Sequence, residues 1–163
     1  MKSLRIAVCT LLVFTTAFAL ADSDAAKKSF DVMKTLQGSW TGRTSSGEPV
    51  SVSFRMTAGD TTLMSEIHMG EEMMSMIHLD GGRLLLTHYC GAGNQPRMQA
   101  SMSPDQKTIM FDFVDATNLD GPKAGHMRRA VFTILSPDHH TEEWVFAQDG
   151  KDQTSVFDLK RTK

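Results

Sequence analysis

Apolar and polar positions alternate along most of this chain. After Gly38, segments of six to ten residues rich in Val, Ile, Thr, Met and Phe are separated by short turns such as Asp80-Gly81-Gly82 and Asp149-Gly150. This alternation is typical of β-strands joined by hairpins. Parallel crossovers need a dozen or more residues, so these joints favour antiparallel pairing. Ten strands are predicted, near residues 39–45, 49–57, 62–69, 72–79, 83–90, 97–102, 107–115, 127–135, 140–147 and 153–161.

The segment before the first strand has a different spacing of apolar residues. Between Asp22 and Gln37 the apolar residues Phe30, Met33 and Leu36 recur at every third position, which predicts a short amphipathic helix. About ten strands joined in sequence order would leave long exposed edges in an open sheet. The fold class that we predict is therefore all-β: a closed up-and-down antiparallel β-barrel of about ten strands, with the short N-terminal helix plugging one end.

The predicted barrel has two different ends. In a meander, all connections from an odd to an even strand lie at the same end, and both of the long connections, 91–96 and 116–126, are of this kind. The other end receives only tight turns and the incoming helix. Long loops in an otherwise economical fold are often functional, so we expect an open mouth framed by these two loops.

The first 21 residues have the layout of a signal peptide. Lys2 and Arg5 precede an uncharged apolar run over residues 6–20, and small residues stand before an expected cleavage site after Ala21. The apolar run is shorter than the roughly 20 residues of a spanning helix. The sequence therefore predicts an exported protein, periplasmic or extracellular, with no stable membrane anchor and one mature domain over residues 22–163.

Charge and cysteine content narrow the possible partners. Loss of the leader removes two basic residues and no acidic ones, so 17 basic against 19 acidic residues become 15 against 19, and the net charge changes from −2 to −4. Such a balance does not favour a nucleic-acid partner. Cys90 is the only cysteine after the leader, so it is buried, reactive or paired between molecules. The oligomeric state stays open.

The segment between the helix and the first strand carries a resemblance. Leu36-Gln37-Gly38-Ser39-Trp40 resembles the Gly-x-Trp signature of lipocalins and related calycin-type barrels. This resemblance implies structural roles for Gly38 and Trp40, with the indole packed across the closed end and a late basic residue, Arg161, stacked on it. Residues 84–90, 93–98 and 111–119 are similar to a group of exported bacterial proteins of lipocalin-like fold, a resemblance that implies no reaction.

Several side chains near the predicted mouth could contact a ligand. The leading hypothesis is a non-enzymatic carrier or sensor that holds a small, mostly apolar molecule in the barrel, which opens between residues 91–96 and 116–126. The polar residues could instead cap turns or form exposed ion pairs. The candidate ligand-binding residues are Met74, Met76, His88, Cys90, Asn94, Arg97, Asp115, Asn118, His126 and Arg128.

Methionine and histidine suggest an alternative function. Eleven methionines follow the leader, and residues 68–78 hold four of them between two histidines. Thioethers with imidazole suit Cu(I) or haem iron, and Met74, His88 and Cys90 are the candidate ligands. Methionine also fills irregular cores and lines pockets. Because alternation puts Met73 and Met74 on opposite strand faces, the four cannot converge on one ion.

An enzymatic function is the third hypothesis. The chain contains no nucleophile elbow, Walker loop, His-Glu-x-x-His helix or Cys-x-x-Cys pair. A small hydrolase or isomerase could still use His126 and Asp115 at the mouth. Glu142 is a further acid–base candidate of a kind that strands commonly present to solvent, and we interpret His139-His140 at a tight turn as a solvated pair.

Overall fold

A computed structural model describes residues 23–162, so the expected leader lies outside the described residues. Helix α1 spans residues 23–34. Within the described range, no helix is both long and apolar enough to cross a membrane. The strands are β1 (Gly38–Thr44), β2 (Pro49–Thr57), β3 (Thr62–Met69), β4 (Glu71–Asp80), β5 (Arg83–Tyr89), β6 (Gln95–Met102), β7 (Thr108–Thr117), β8 (His126–Ser136), β9 (His139–Gln148) and β10 (Lys151–Arg161). These ten strands are confirmed, and their bounds differ from the predicted ones by two residues at most.

The sheet closes on itself. Each strand pairs antiparallel with its neighbours in the chain, and β1 pairs with β10, which places Trp40 opposite Arg161. Closure leaves no unpaired edge, and it confirms the up-and-down barrel. Gly42 lies at this seam, where an added Cβ would overlap the backbone carbonyl of Asp158. The backbones of β1 and β10 are therefore so close at this position that only glycine fits.

Helix α1 covers one end of the barrel, as the sequence predicts. Phe30, Met33 and Leu36 are all buried in the same apolar cluster as Trp40. The indole N–H of Trp40 donates a hydrogen bond of 2.7 Å to the carbonyl of Leu36. The guanidinium carbon of Arg161 lies over this ring, 4.1 Å from its centroid. We call the half of the barrel next to α1 the lower half and the other the upper half.

The two long connections lie together at the upper end. The side-chain amide of Asn94, before β6, donates a hydrogen bond of 2.8 Å to the carbonyl of Gly125, before β8. Gln95 accepts hydrogen bonds from Thr117 and from Asn118 at the end of β7. The prediction that both long connections lie at the same end of the barrel is confirmed. Hydrogen bonds join the two connections to each other.

Aromatic side chains fill the lower half of the interior. Phe132 forms edge-to-face contacts with Phe111 and Phe54, at centroid distances of 5.8 Å and 6.4 Å. All three rings are at most 2% exposed. Edge-to-face pairs of this kind add about 0.5–1.5 kcal/mol each to the stabilisation from burial. The interior space for a ligand is accordingly in the upper half.

Candidate functional site

A cavity of about 320 Å³ occupies the upper half of the barrel. Its apolar wall is formed by Ile67, Met69, Met73, Met127, Trp144, Phe146 and Phe157. Its polar lining consists of His88, Ser45, Ser46, Gln153, Thr154 and Ser155. Four of these polar residues, in the β1–β2 turn and at positions 153 and 154, are exposed. The cavity therefore opens at the rim between this turn and the beginning of β10.

Strand alternation explains this lining. In β4, Ser75 and Ile77 are buried in the interior, so Met73, two positions before Ser75, faces the same side. In β3, Met69 follows the buried Ile67 by the same spacing. Thioether side chains are flexible and polarisable, so they form an adaptable wall.

His88 is the buried polar residue of the cavity. Its side chain is fully buried, and Nδ1 lies 3.0 Å from the hydroxyl oxygen of Ser75 on the paired strand. The other ring nitrogen, Nε2, is buried and has no hydrogen-bond partner. Burial lowers the pKa of His88 from 6.5 to about 4, because removal from water disfavours the charged form. The imidazole is therefore neutral at neutral pH.

Trp144 connects the cavity wall to a buried carboxylate. The indole ring lies 4.9 Å from the ring of His88, and its N–H donates a hydrogen bond of 2.9 Å to Oε2 of Glu142. The other carboxylate oxygen of Glu142 lies 3.0 Å from Nε2 of His140. His140 in turn contacts Trp40 edge-to-face at 4.2 Å. A continuous set of polar and aromatic contacts thus runs from the cavity to the plugged end.

This arrangement corrects two expectations from the sequence. His140 and Glu142 are both 0% exposed, so His140 is not part of a solvated pair and Glu142 is not on the wet face. The reason is that β9 turns His140, Glu142 and Trp144 to the interior, where each finds a partner. Buried polar groups are tolerated when they are hydrogen-bonded in this way.

The structure does not bring Met74, His88 and Cys90 together. The register pairs His88 with Ser75 and Met74 with Tyr89, so the imidazole faces the interior while Met74 lies on the outer face. Met74 and the half-buried Cys90 line a groove on the outer surface with Tyr89, Glu66 and Glu72. The expected cluster requires Met74 to pair with His88, which is a shift of one residue in the register of β4 and β5. Such a shift moves each side chain to the opposite face of the sheet.

Met76 also lies on the outer face of β4. It is half-buried and pairs with Met64 on one side and Thr87 on the other. In residues 23–162, no group of three or more His, Cys, Asp and Glu side chains is arranged to hold a metal ion.

Four of the candidate residues at the mouth form contacts within or beside the two long loops. Asn94 is buried in its contact with Gly125, whereas Asn118 is exposed and bonds to the side chain of Gln95. Arg97 and Asp115 form a bidentate ion pair across β6 and β7 on the surface. None of these side chains lines the interior cavity described above. The cavity instead opens beside the β1–β2 turn.

His126 and Arg128 lie at the start of β8. Nδ1 of His126 is 2.9 Å from the carbonyl oxygen of Ala124, and its ring lies 4.7 Å from that of Phe113. Arg128 donates two hydrogen bonds, of 2.9 Å and 2.6 Å, to the carboxylate of Asp152. Asp115 is paired with Arg97 on β6. Among the described residues, no hydrogen bond or ion pair joins His126 and Asp115.

Of the candidate ligand-binding residues only His88 lines the cavity, and sequence reasoning missed most of the cavity wall. Alternation separates Met73 from Met74, but it does not tell which of the two faces the interior. A usable signal was present in β9, where His140, Glu142, Trp144 and Phe146 share one face. Two aromatic residues two positions apart, Trp144 and Phe146, indicate that this face of β9 points inward. His140 and Glu142 lie on the same face, so they are expected to form a buried pair.

Comparison of the chain with protein-family models finds no matching family, and a search of curated proteins finds none that matches it. The fold and the cavity therefore carry the functional argument.

Proposed function

We propose that this protein is a non-enzymatic carrier or sensor that binds a small, mostly apolar molecule in the upper half of its barrel. The observation that carries the proposal is the cavity of about 320 Å³, in which seven apolar side chains and one buried imidazole form the wall and the other polar residues lie at or near the rim. Small-molecule sites usually combine an apolar lining with a few polar groups that orient the ligand. The signal-peptide pattern and the resemblance to lipocalin-like barrels support such a role outside the cytoplasm.

The size of the cavity suits a small ligand. Binding pockets commonly measure about 300–1,000 Å³, and a dry engineered cavity of about 150 Å³ accommodates benzene. The cavity of about 320 Å³, which opens at the rim, thus has room for a molecule of two or three rings. The aromatic and thioether side chains of Trp144, Phe146 and Met73 supply contacts to either flat or aliphatic groups.

Titration with N-phenyl-1-naphthylamine tests the proposal. This uncharged fluorescent probe brightens in apolar surroundings, so a saturable one-to-one increase in its emission is expected. Ser155 lines the cavity, and Ser155→Phe would fill part of it and reduce the emission. Ser101→Phe is the matched control, because Ser101 is exposed on β6. The proposal fails if no saturable increase occurs, or if both variants bind the probe as the wild type does.

Copper binding is a second candidate function. It is favoured by one observation: three thioethers, those of Met69, Met73 and Met127, line the same cavity as His88. Thioether and imidazole ligands together suit Cu(I). These residues differ from the expected set of Met74, His88 and Cys90, of which only His88 faces the cavity.

Competition with bicinchoninate under reducing conditions tests copper binding. The protein is expected to remove Cu(I) from the coloured complex, and Met73→Leu is expected to weaken this removal. Met74→Leu provides a matched control, because Met74 is the next residue and lies on the outer face of the same strand. An unchanged spectrum of the copper complex, or equal effects of the two variants, would count against the copper site.

A further inference from the structure

The lining of the cavity restricts the charge of its ligand. Among the described residues that line it, none is Asp, Glu, Lys or Arg. The nearest cation in sequence, Arg128, follows the lining residue Met127, but its guanidinium is bound to Asp152 on the surface. The cavity therefore offers an anionic ligand no counter-charge.

The buried carboxylate behind the wall does not change this conclusion. Glu142 accepts hydrogen bonds from Trp144 and His140, so it presents oxygen atoms and no positive charge towards the cavity wall. An anion placed among apolar groups without a partner is strongly disfavoured. In the unliganded protein, burial lowers the pKa of His88 to about 4, so its imidazole is neutral at neutral pH and offers no positive charge to an incoming anion.

One ring nitrogen of a residue that lines the cavity has no hydrogen-bond partner. The N–H of Trp144 is already bound to Glu142, and Nδ1 of His88 is occupied by Ser75. Nε2 of His88 is buried without a partner. An unsatisfied buried polar atom is unfavourable, and a ligand group that bonds to it would remove this penalty. The remaining polar lining residues lie at or near the rim, where water can satisfy them.

We infer that the ligand of this cavity is an uncharged, mostly apolar molecule with a single hydroxyl or carbonyl group, which forms a hydrogen bond with His88. This inference rests on the proposed function, since it names the ligand class of the same cavity. A carboxylate or sulfonate of the same size is disfavoured by the uncharged lining, and a pure hydrocarbon leaves the imidazole nitrogen unpartnered.

Isothermal titration calorimetry at pH 7.5 with four probes of one skeleton tests the inference. The probes are naphthalene, 2-naphthylmethanol, 2-acetylnaphthalene and 2-naphthoate. The alcohol, the ketone or both are expected to bind about 3-fold to 10-fold more tightly than naphthalene, as one net hydrogen bond allows. The anion is expected to bind at least about 100-fold more weakly than the better neutral probe.

A histidine-specific measurement identifies the contact without a variant. In a long-range nitrogen–proton spectrum of the labelled protein, the Nε2 resonance of His88 is expected to shift with the preferred polar probe and to stay in place with naphthalene. His88→Phe is expected to abolish the preference for the polar probe while naphthalene still binds. If that variant does not fold, the spectrum and the four wild-type titrations decide alone.

The outcomes separate the inference from the proposed function. If 2-naphthoate binds as tightly as the better neutral probe, the inference is overturned and the cavity remains a binding site. Equal binding of naphthalene and both neutral polar probes, with no shift at His88, also overturns the inference alone. If N-phenyl-1-naphthylamine gives no saturable emission, the proposed function itself is overturned. If it does and none of the four probes binds, the inference alone is overturned.

Discussion

Nε2 of His140 lies 3.0 Å from Oε1 of Glu142, and neither side chain is exposed to solvent. The second carboxylate oxygen accepts the indole N–H of Trp144. A buried carboxylate is stable only when its oxygen atoms are satisfied, and here both have partners. The pair therefore holds the cavity wall at Trp144 in a fixed position relative to the aromatic core.

Replacement of Glu142 should destabilise the protein. Glu142→Leu leaves a ring nitrogen of His140 and the indole N–H of Trp144 buried without a partner, and each such group costs about 1–3 kcal/mol. We expect the free energy of unfolding to fall by about 2–5 kcal/mol. Glu142→Gln keeps an acceptor oxygen and should lose less. Urea denaturation followed by tryptophan fluorescence measures both.

The neighbouring residue Glu143 is the matched control. It lies on the outer face of β9, so Glu143→Leu removes the same charge without leaving a buried donor unpaired. A change within about 0.5 kcal/mol is expected there. Equal stability of the Glu142→Leu variant and the wild type would show that the buried hydrogen bonds do not hold the wall.

His88 should make folding stability depend on pH. Its pKa is about 4 in the folded protein because of burial, against about 6.5 in an unfolded chain. Between these values the unfolded state binds more protons, so stability is highest above pH 6.5 and is lost as the pH falls towards 4. The expected loss is about 3 kcal/mol across this window. Urea unfolding at pH 7.5, 6, 5 and 4 measures it.

Two variants separate this effect from the protonation of other groups. His88→Leu removes the buried imidazole, so the stability of the variant should fall less between pH 7.5 and pH 4 than that of the wild type. His68→Gln removes an imidazole on the exposed side of β3 and should keep the pH dependence of the wild type. If His88→Leu also keeps it, the imidazole of His88 is not the group responsible.

The fold was predictable from the chain because its signals are local. Alternation in segments such as Pro49–Thr57 identifies strands, short turns impose antiparallel pairing, and the odd and even connections then sort to opposite ends. The position of α1 follows from the same parity. None of these signals depends on a specific long-range contact.

The interior of the barrel was less predictable, because its contents depend on register and on pairing between distant strands. A shift by one residue exchanges Met73 for Met74, and burial of Glu142 becomes reasonable only once His140 and Trp144 are known to face it. The cavity opens beside the β1–β2 turn and not between the two long loops. Asn94 joins the two long loops at Gly125, so length alone did not reveal which loops frame the opening.

Arg161 should be essential to closure of the lower end. Its guanidinium lies over Trp40 and donates hydrogen bonds to the carbonyl oxygens of Thr35, Gln37 and Pro137. Lysine cannot form this planar set of contacts at the same time, so Arg161→Lys is expected to cost about 1–3 kcal/mol. Thermal unfolding measures the change. Lys160→Arg is the control at the neighbouring exposed position, and a loss of the same size there would refute the specific role of Arg161.

The seam between β1 and β10 should be sensitive to a single methyl group. In Gly42→Ala the new Cβ would overlap the backbone carbonyl of Asp158, and a backbone atom cannot move aside as a side chain can. The strands would have to separate, at a cost of about 3 kcal/mol or more. Hydrogen exchange should then show lost protection of the β1 amides, with β4 and β5 less affected. Thr41→Ala is the control, since Thr41 is exposed on the same strand. If the β1 amides of Gly42→Ala stay as protected as those of the wild type, the two strands at the seam can accommodate a Cβ at position 42.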